Sequence, residues 1–159
     1  MSGQARLVWR RQLADTETPV AAALKLMEPG RGDFLLESVE DGATRGRYSL
    51  LGLAPDLLFR ANGEAAEINR RWLDDPHAFA PAGTPTLAAL RALVAECRAE
   101  VPPELPPALA CLVVYFAYET IALVERLPRP PANPIGLPDM VFVRPTLILV
   151  FDQIGRAHV

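Results

Sequence analysis

The chain has 159 residues, enough to bury most of the apolar surface of one compact domain. Its 16 basic and 19 acidic residues give a net charge of −3, so it lacks the large positive field that nucleic acid or an anionic membrane requires, and neither is expected as a partner. All the basic residues but Lys25 are Arg, and Pro occurs 16 times, a compositional bias that lowers the functional weight of any single Arg.

Cys97 and Cys111 sit in apolar surroundings without C-x-x-C spacing, far in sequence from His77 and His158, so no metal site is expected. The opening MSGQARLVWRR lacks the apolar core of a signal peptide, and the longest apolar run, Leu109 to Tyr118, is too short to span a bilayer. A reduced, cytoplasmic chain is the expectation.

In chain order, residues 5 to 11 suit a first strand, and Thr18-Pro19 a helix start, with Thr18 as N-cap and Pro19 at the first helical position. Val20, Leu24 and Met27 would form the buried face of that helix, which stops at Pro29-Gly30. Phe34 to Val39, Arg47 to Leu53 and Leu57 to Ala61 read as strands, and Asn62-Gly63 as a two-residue hairpin into a fourth strand, Glu64 to Asn69. Strands in direct succession argue an antiparallel sheet. Residues 70 to 83 read as an irregular surface connection.

A second helix is capped by Thr84 or Thr86 and runs to about Val101, with Leu87, Leu90, Val94, Cys97 and Val101 along its buried stripe. PPELPP, Pro102 to Pro107, ends it as a stiff spacer. The run from 109 to 118 is too apolar to be half-exposed, Glu119 to Arg126 suits a short helix, and a Pro-rich loop follows. Met140 to Phe151 reads as one long strand with a bulge or bend at Pro145. Asp152-Gln153-Ile154-Gly155 is turn-like, so residues 153 to 159 are expected to be a truncated hairpin or tail, leaving an apolar strand with an open edge.

The residue that raises a functional question is Glu37 in FLLES. On an alternating strand it shares a face with Leu35 and Val39, where an unpaired carboxylate costs several kcal/mol. Two readings follow: an ion pair with Arg45 or Arg47, or a site for a ligand ammonium, with the Ser38 hydroxyl or nearby backbone N–H groups taking the ligand's carboxylate. A free amino acid fits the second description.

The order LLES, a short acidic and Gly-containing turn, then GRYSLLG and a hairpin resembles the amino-terminal domain of anthranilate synthase component I, a chorismate-utilising enzyme family. Glu17-Thr18-Pro19, Tyr115 to Glu119, Glu125 to Pro128 and Leu137 to Met140 fall in the family's order, so the resemblance covers nearly the whole chain. Ala110, Val114 and Ala117 stand where relatives usually carry Gly.

The resemblance implies an α+β fold, with helices packed on two largely antiparallel, orthogonally packed β-sheets, and residues 1–152 as a regulatory domain. It implies an allosteric tryptophan site formed by Leu36, Glu37 and Ser38, with Tyr48 beside them and Pro19 as a neighbour. Glu37 would meet the ammonium group, while Leu36 and Pro19 would flank the indole. The family's carboxy-terminal chorismate-binding domain, which carries the magnesium ligands and the catalytic acid and base, is absent from this sequence. The chain is therefore expected to hold no catalytic residue or cofactor of its own and to be inactive alone.

In the full-length enzyme, chorismate and glutamine or ammonia would give anthranilate and pyruvate, with magnesium required and feedback inhibition by L-tryptophan. Its partners would be its own chorismate-binding domain and a glutamine amidotransferase component. Apolar surface left by the missing domain makes a homo-oligomer a further expectation. The alternatives are the same domain of aminodeoxychorismate synthase component I, from the folate pathway, and a stand-alone interaction module.

Overall fold

A computed structural model describes residues 7–37, 47–106, 109, 112–126, 133 and 135–152. The elements are helix α1 (Pro19–Leu26), strands β1 (Phe34–Leu36), β2 (Tyr48–Leu53), β3 (Leu57–Asn62), β4 (Ala65–Asn69) and β5 (Ala80–Pro81), helix α2 (Thr86–Glu96), strand β6 (Val113–Phe116), a 3-10 turn (Tyr118–Leu123), and strands β7 (Met140–Arg144) and β8 (Leu147–Asp152). They form two antiparallel sheets with helices, the α+β class expected. One sheet has the order β1-β2-β8 and the other β5-β4-β3-β7-β6.

The chain divides into two compact units, one built around Asp56–Arg144 and the other around Trp9–Pro55 with the strand that follows Pro145. The chain passes from one unit to the other at Pro55-Asp56 and again at Arg144-Pro145. The expected long strand from Met140 is therefore two strands that belong to different sheets, and Pro145 marks the change of sheet rather than a bulge. Proline cannot donate to a ladder, so the hydrogen-bonded pairing ends there.

In the three-stranded unit, Thr18 caps α1 as expected: its Oγ1 accepts from the Ala21 N–H at 3.1 Å, and Pro19 opens the first turn. The buried face differs from the expected one. Ala22 and Ala23 pack with Leu51 and Leu53, and Met27, Leu35, Leu149 and Phe151 lie against them, whereas Leu24 is 83% exposed. No strand forms over 7–11, and residues 5 and 6 lie outside the described residues.

In the five-stranded unit, Leu57, Phe59, Ala61, Met140 and Phe142 form the core face of the sheet, and Ala89 and Leu93 of α2 cover it. The β3-β4 hairpin turns at Gly63-Glu64, one residue later than expected, with Asn62 paired to Ala65 and Gly63 at φ +51. That turn also caps α2. The Thr86 N–H donates to Glu64 Oε2 at 3.1 Å, and the Thr86 hydroxyl donates to the Gly63 carbonyl at 2.7 Å. Thr86 is thus the first helical residue rather than a local N-cap. A carboxylate at a helix amino terminus also complements its dipole.

Helix α2 ends at Glu96, and its buried residues are Thr86, Ala89 and Leu93, with Leu90 and Cys97 packed alongside and Val94 exposed. The 70–83 connection contributes the short edge strand β5, where Pro81 is tolerated because no further strand pairs outside it among the described residues. The apolar run 109–118 supplies β6, at the other edge of the sheet. There Val114, Tyr115 and Phe116 are all exposed, contrary to the expected burial. The expected helix from Glu119 is the 3-10 turn Tyr118–Leu123.

Candidate functional site

Strand β1 carries Phe34, Leu35 and Leu36 opposite Gly52, Leu51 and Leu50 of β2. Alternation puts Leu35 and Leu51 on the face that α1 covers and Leu36, Leu50 and Tyr48 on the other. Leu36, which is 46% exposed, and the half-buried Tyr48 are therefore brought to one face of one sheet. Pro19 is not on that face, since it opens α1, which packs on the opposite side through Ala22 and Ala23. Ser38 and Arg45 lie outside the described residues.

Glu37 follows the last residue of β1 and is exposed, not directed among apolar side chains as the alternation had implied. The pairing with Arg47 is not formed. Arg47 instead donates from Nε to Asp152 Oδ1 at 3.1 Å and from Nη2 to Asp152 Oδ2 at 2.9 Å, across the register pair Tyr48 and Asp152. Its guanidinium carbon lies 4.8 Å from the centroid of the Tyr48 ring, a cation–π geometry. The Asp152 hydrogen bond, opposed by slight desolvation, makes the Arg47 proton harder to lose. One end of the β1-β2-β8 sheet thus gathers an exposed carboxylate, an aromatic face and an oriented guanidinium. Those groups suit a small zwitterion with an apolar or aromatic side chain.

Sequence reasoning missed a second cluster, at the opposite end of the same strands. The Asp33 side chain is 1% exposed. Its Oδ1 accepts from the Ala54 N–H at 2.8 Å and from Arg31 Nε at 3.0 Å. Its Oδ2 accepts from the Glu28 N–H at 2.9 Å and from Arg31 Nε at 2.8 Å, with Arg31 Nη2 2.6 Å away as an ion pair. Burial alone would raise the Asp33 pKa, but the bonds from Arg31, Glu28 and Ala54 outweigh it and hold the carboxyl below its ordinary range. Ala54 has φ +49, the left-handed region unusual for a residue with a side chain. A GRGD turn before a strand is the only local signal of this cluster.

In the other unit a shallow groove of about 620 Å³ is lined by Arg60, Glu67, Trp72, His77 and Phe79, among others. Arg60 stacks 3.7 Å from the Phe79 centroid and pairs with Glu67 at 2.8 Å. Arg144 is bidentate to Asp56, both bonds at 2.8 Å, and its Nη1 lies 3.7 Å from Cys97 Sγ. Burial pushes the Cys97 thiol up in spite of Arg144. Among the described residues, no three His, Cys, Asp or Glu side chains converge so as to hold a metal ion, and no helix is long and apolar enough to cross a membrane.

Fold and site together define an α+β chain with two antiparallel sheets and a polar and aromatic cluster at one end of the three-stranded sheet. No family model matches the chain. Single relatives do. The chain is 45% identical over 153 residues to anthranilate synthase component 1 of Cereibacter sphaeroides, covering 96% of this chain and 31% of that protein. It is 40% identical to the protein of that name from Mycolicibacterium smegmatis over 147 residues, 92% of this chain and 27% of the relative. It is 38% identical to that of Thermus thermophilus over 144 residues, 89% and 29% respectively.

The chain is similar in sequence to proteins named anthranilate synthase component 1, and it spans less than a third of the length of the relatives it matches. A crystal structure of anthranilate synthase component I from Streptococcus pneumoniae aligns over 92% of this chain and 29% of that one, at 20% identity and a TM-score of 0.46.

Proposed function

We propose that the chain is the amino-terminal regulatory segment of an anthranilate synthase component I. The full-length protein would convert chorismate and glutamine or ammonia to anthranilate and pyruvate, and L-tryptophan would inhibit it by binding at the end of the β1-β2-β8 sheet. The observation that carries this reading is the 45% identity across 96% of the chain to a protein named for that enzyme. The regulatory part is supported by the meeting of Leu36 and Tyr48, 12 positions apart, on one sheet face with Glu37 adjacent. The relatives reported above carry the anthranilate synthase name, which favours this reading over the folate-pathway one.

In this reading Glu37 receives the ammonium group, its present exposure leaving it accessible, and Leu36 and Tyr48 meet the indole. Ser38 completes the chain's share of the site, and Pro19, which opens α1 on the opposite face of the sheet, takes no part in it. Tryptophan acts by binding more tightly to a state poorly arranged for turnover, since a ligand shifts an equilibrium only by its differential affinity. The magnesium ion, the catalytic groups and the contact with a glutamine amidotransferase partner belong to the remainder of the longer protein.

The test is calorimetry and kinetics on the full-length protein with L-tryptophan. Glu37→Ala should weaken tryptophan binding and relieve inhibition while most of the activity remains, and the 159-residue chain alone should bind tryptophan weakly or not at all. If Glu37→Ala abolishes turnover and leaves tryptophan binding unchanged, the regulatory assignment is wrong.

A further inference from the structure

We infer that Asp33 is a positioning residue for the proposed effector site, because its carboxylate fastens α1 to the sheet whose far end carries Leu36, Glu37 and Tyr48. This rests on the regulatory reading above. The buried contacts of α1 are Ala22 and Ala23, two of the smallest side chains, while Val20, Leu24 and Leu26 are exposed. Small buried side chains give a helix few knobs to fix its register, and apart from Met27 at its end α1 presents only these to the sheet.

Polar geometry supplies what packing does not. Asp33 accepts from the Glu28 N–H just beyond the helix and from the Ala54 N–H just beyond β2. Arg31, held by Asp33, donates from Nη2 to the Leu26 carbonyl at 2.8 Å, at the last residue of α1, and its Nη1 meets Glu28 Oε1 at 2.5 Å. One carboxylate and one guanidinium therefore join the carboxyl end of α1, the start of β1 and the end of β2. Charge-assisted bonds of this kind are directional and about twice as strong as neutral ones, so they fix orientation as well as distance. Because Asp33 directly precedes β1 and its bond to Ala54 lies just past β2, the same group sets the two strands that carry Leu36 and Tyr48 at their other end.

Asp33→Asn keeps the size of the side chain but replaces an acceptor-only group with one that must turn an NH₂ toward a donor. Two measurements on the full-length protein test the inference. In hydrogen exchange, the amides of α1, Glu28 and Ala54 should exchange about ten-fold faster in Asp33→Asn, a loss typical of one charged hydrogen bond, while those of the β3-β4 hairpin keep their rates. In calorimetry, the dissociation constant for L-tryptophan should rise by about ten-fold, with Arg31→Lys intermediate because a point charge keeps attraction but loses the fork.

Unchanged exchange in α1 would overturn the inference, as would faster exchange with unchanged tryptophan affinity. Faster exchange in the β3-β4 hairpin as well would mark a global loss of stability and also overturn it. If the unaltered protein binds no tryptophan, or Glu37→Gln binds it as tightly as the unaltered protein, the regulatory reading itself fails and the exchange result still decides whether Asp33 holds the helix.

Discussion

Replacing Gly52 with Ala tests how β1 is held on β2. Gly52 stands opposite Phe34, and the tip of the Phe34 ring occupies the space a Gly52 side chain would need. A methyl group at Gly52 would come within 2.9 Å of Phe34 Cε2 and nearer still to Cζ and Cε1. Comfortable carbon contacts are about 3.5–4.0 Å, so the ring must retreat by more than an ångström or swing off the sheet. The ring tip is the movable part, which places the cost in the ordinary range for overpacking, about 1–3 kcal/mol.

The assay is a double-mutant cycle read by urea unfolding, with Gly52→Ala made both in the unaltered chain and in Phe34→Ala. Without the ring the closest obstacles to the methyl are gone, and Ala is the better residue for an extended strand, so Gly52→Ala should be far less costly in that background. An equal loss in both backgrounds would refute the reasoning, since the cost would then lie in the backbone and not in the ring.

Thr18→Ala removes the acceptor for the Ala21 N–H and should cost about 1 kcal/mol, seen as faster amide exchange confined to α1. Thr86→Val buries a methyl where a hydroxyl now donates to the Gly63 carbonyl, and should cost about 1–3 kcal/mol in urea unfolding; a cost near zero would show that this hydroxyl bond adds nothing to the hold of the hairpin on α2. Asp33 and Glu96 both have carboxyl pKa values lowered in the fold: at Asp33 burial acts upward but the Arg31, Glu28 and Ala54 bonds prevail, and at Glu96 the Arg70 bond dominates. Groups with lowered folded pKa values stabilise fully above the unfolded value, about 4 for a carboxyl, and lose that contribution as the pH falls through the folded one. Unfolding free energy should therefore be flat above about pH 5 and fall below 4, with a shallower fall in Asp33→Asn.

What was legible in the sequence depended on residues close together in it. Thr18-Pro19 specified a helix start because the capping oxygen and the N–H it satisfies are three positions apart. Asn62-Gly63 specified a hairpin to within one residue because only a positive φ closes so short a turn. Alternation gave β2 and β3 nearly to the residue. Yet the helix faces were misread: Ala fits closely where a sheet approaches, so α1 buries Ala22 and Ala23 and leaves Leu24 in solvent. The fate of Glu37 was misread for a related reason, since alternation holds only while the strand lasts and β1 stops at Leu36.

By itself, then, the sequence determined the class of fold, the positions of most elements and the relatives the chain resembles, because each follows from local pattern or from direct likeness of residues. Only the tertiary structure decided that Pro55 and Pro145 divide the strands between two sheets, that Arg47 takes Asp152 at a separation of 105 residues, that the Gly63-Glu64 turn caps α2, and that Asp33 reaches Ala54. These partners leave no periodic trace in the chain. They are selected when closing long loops is repaid by burial and by satisfying buried polar groups, a choice settled across the whole fold at once.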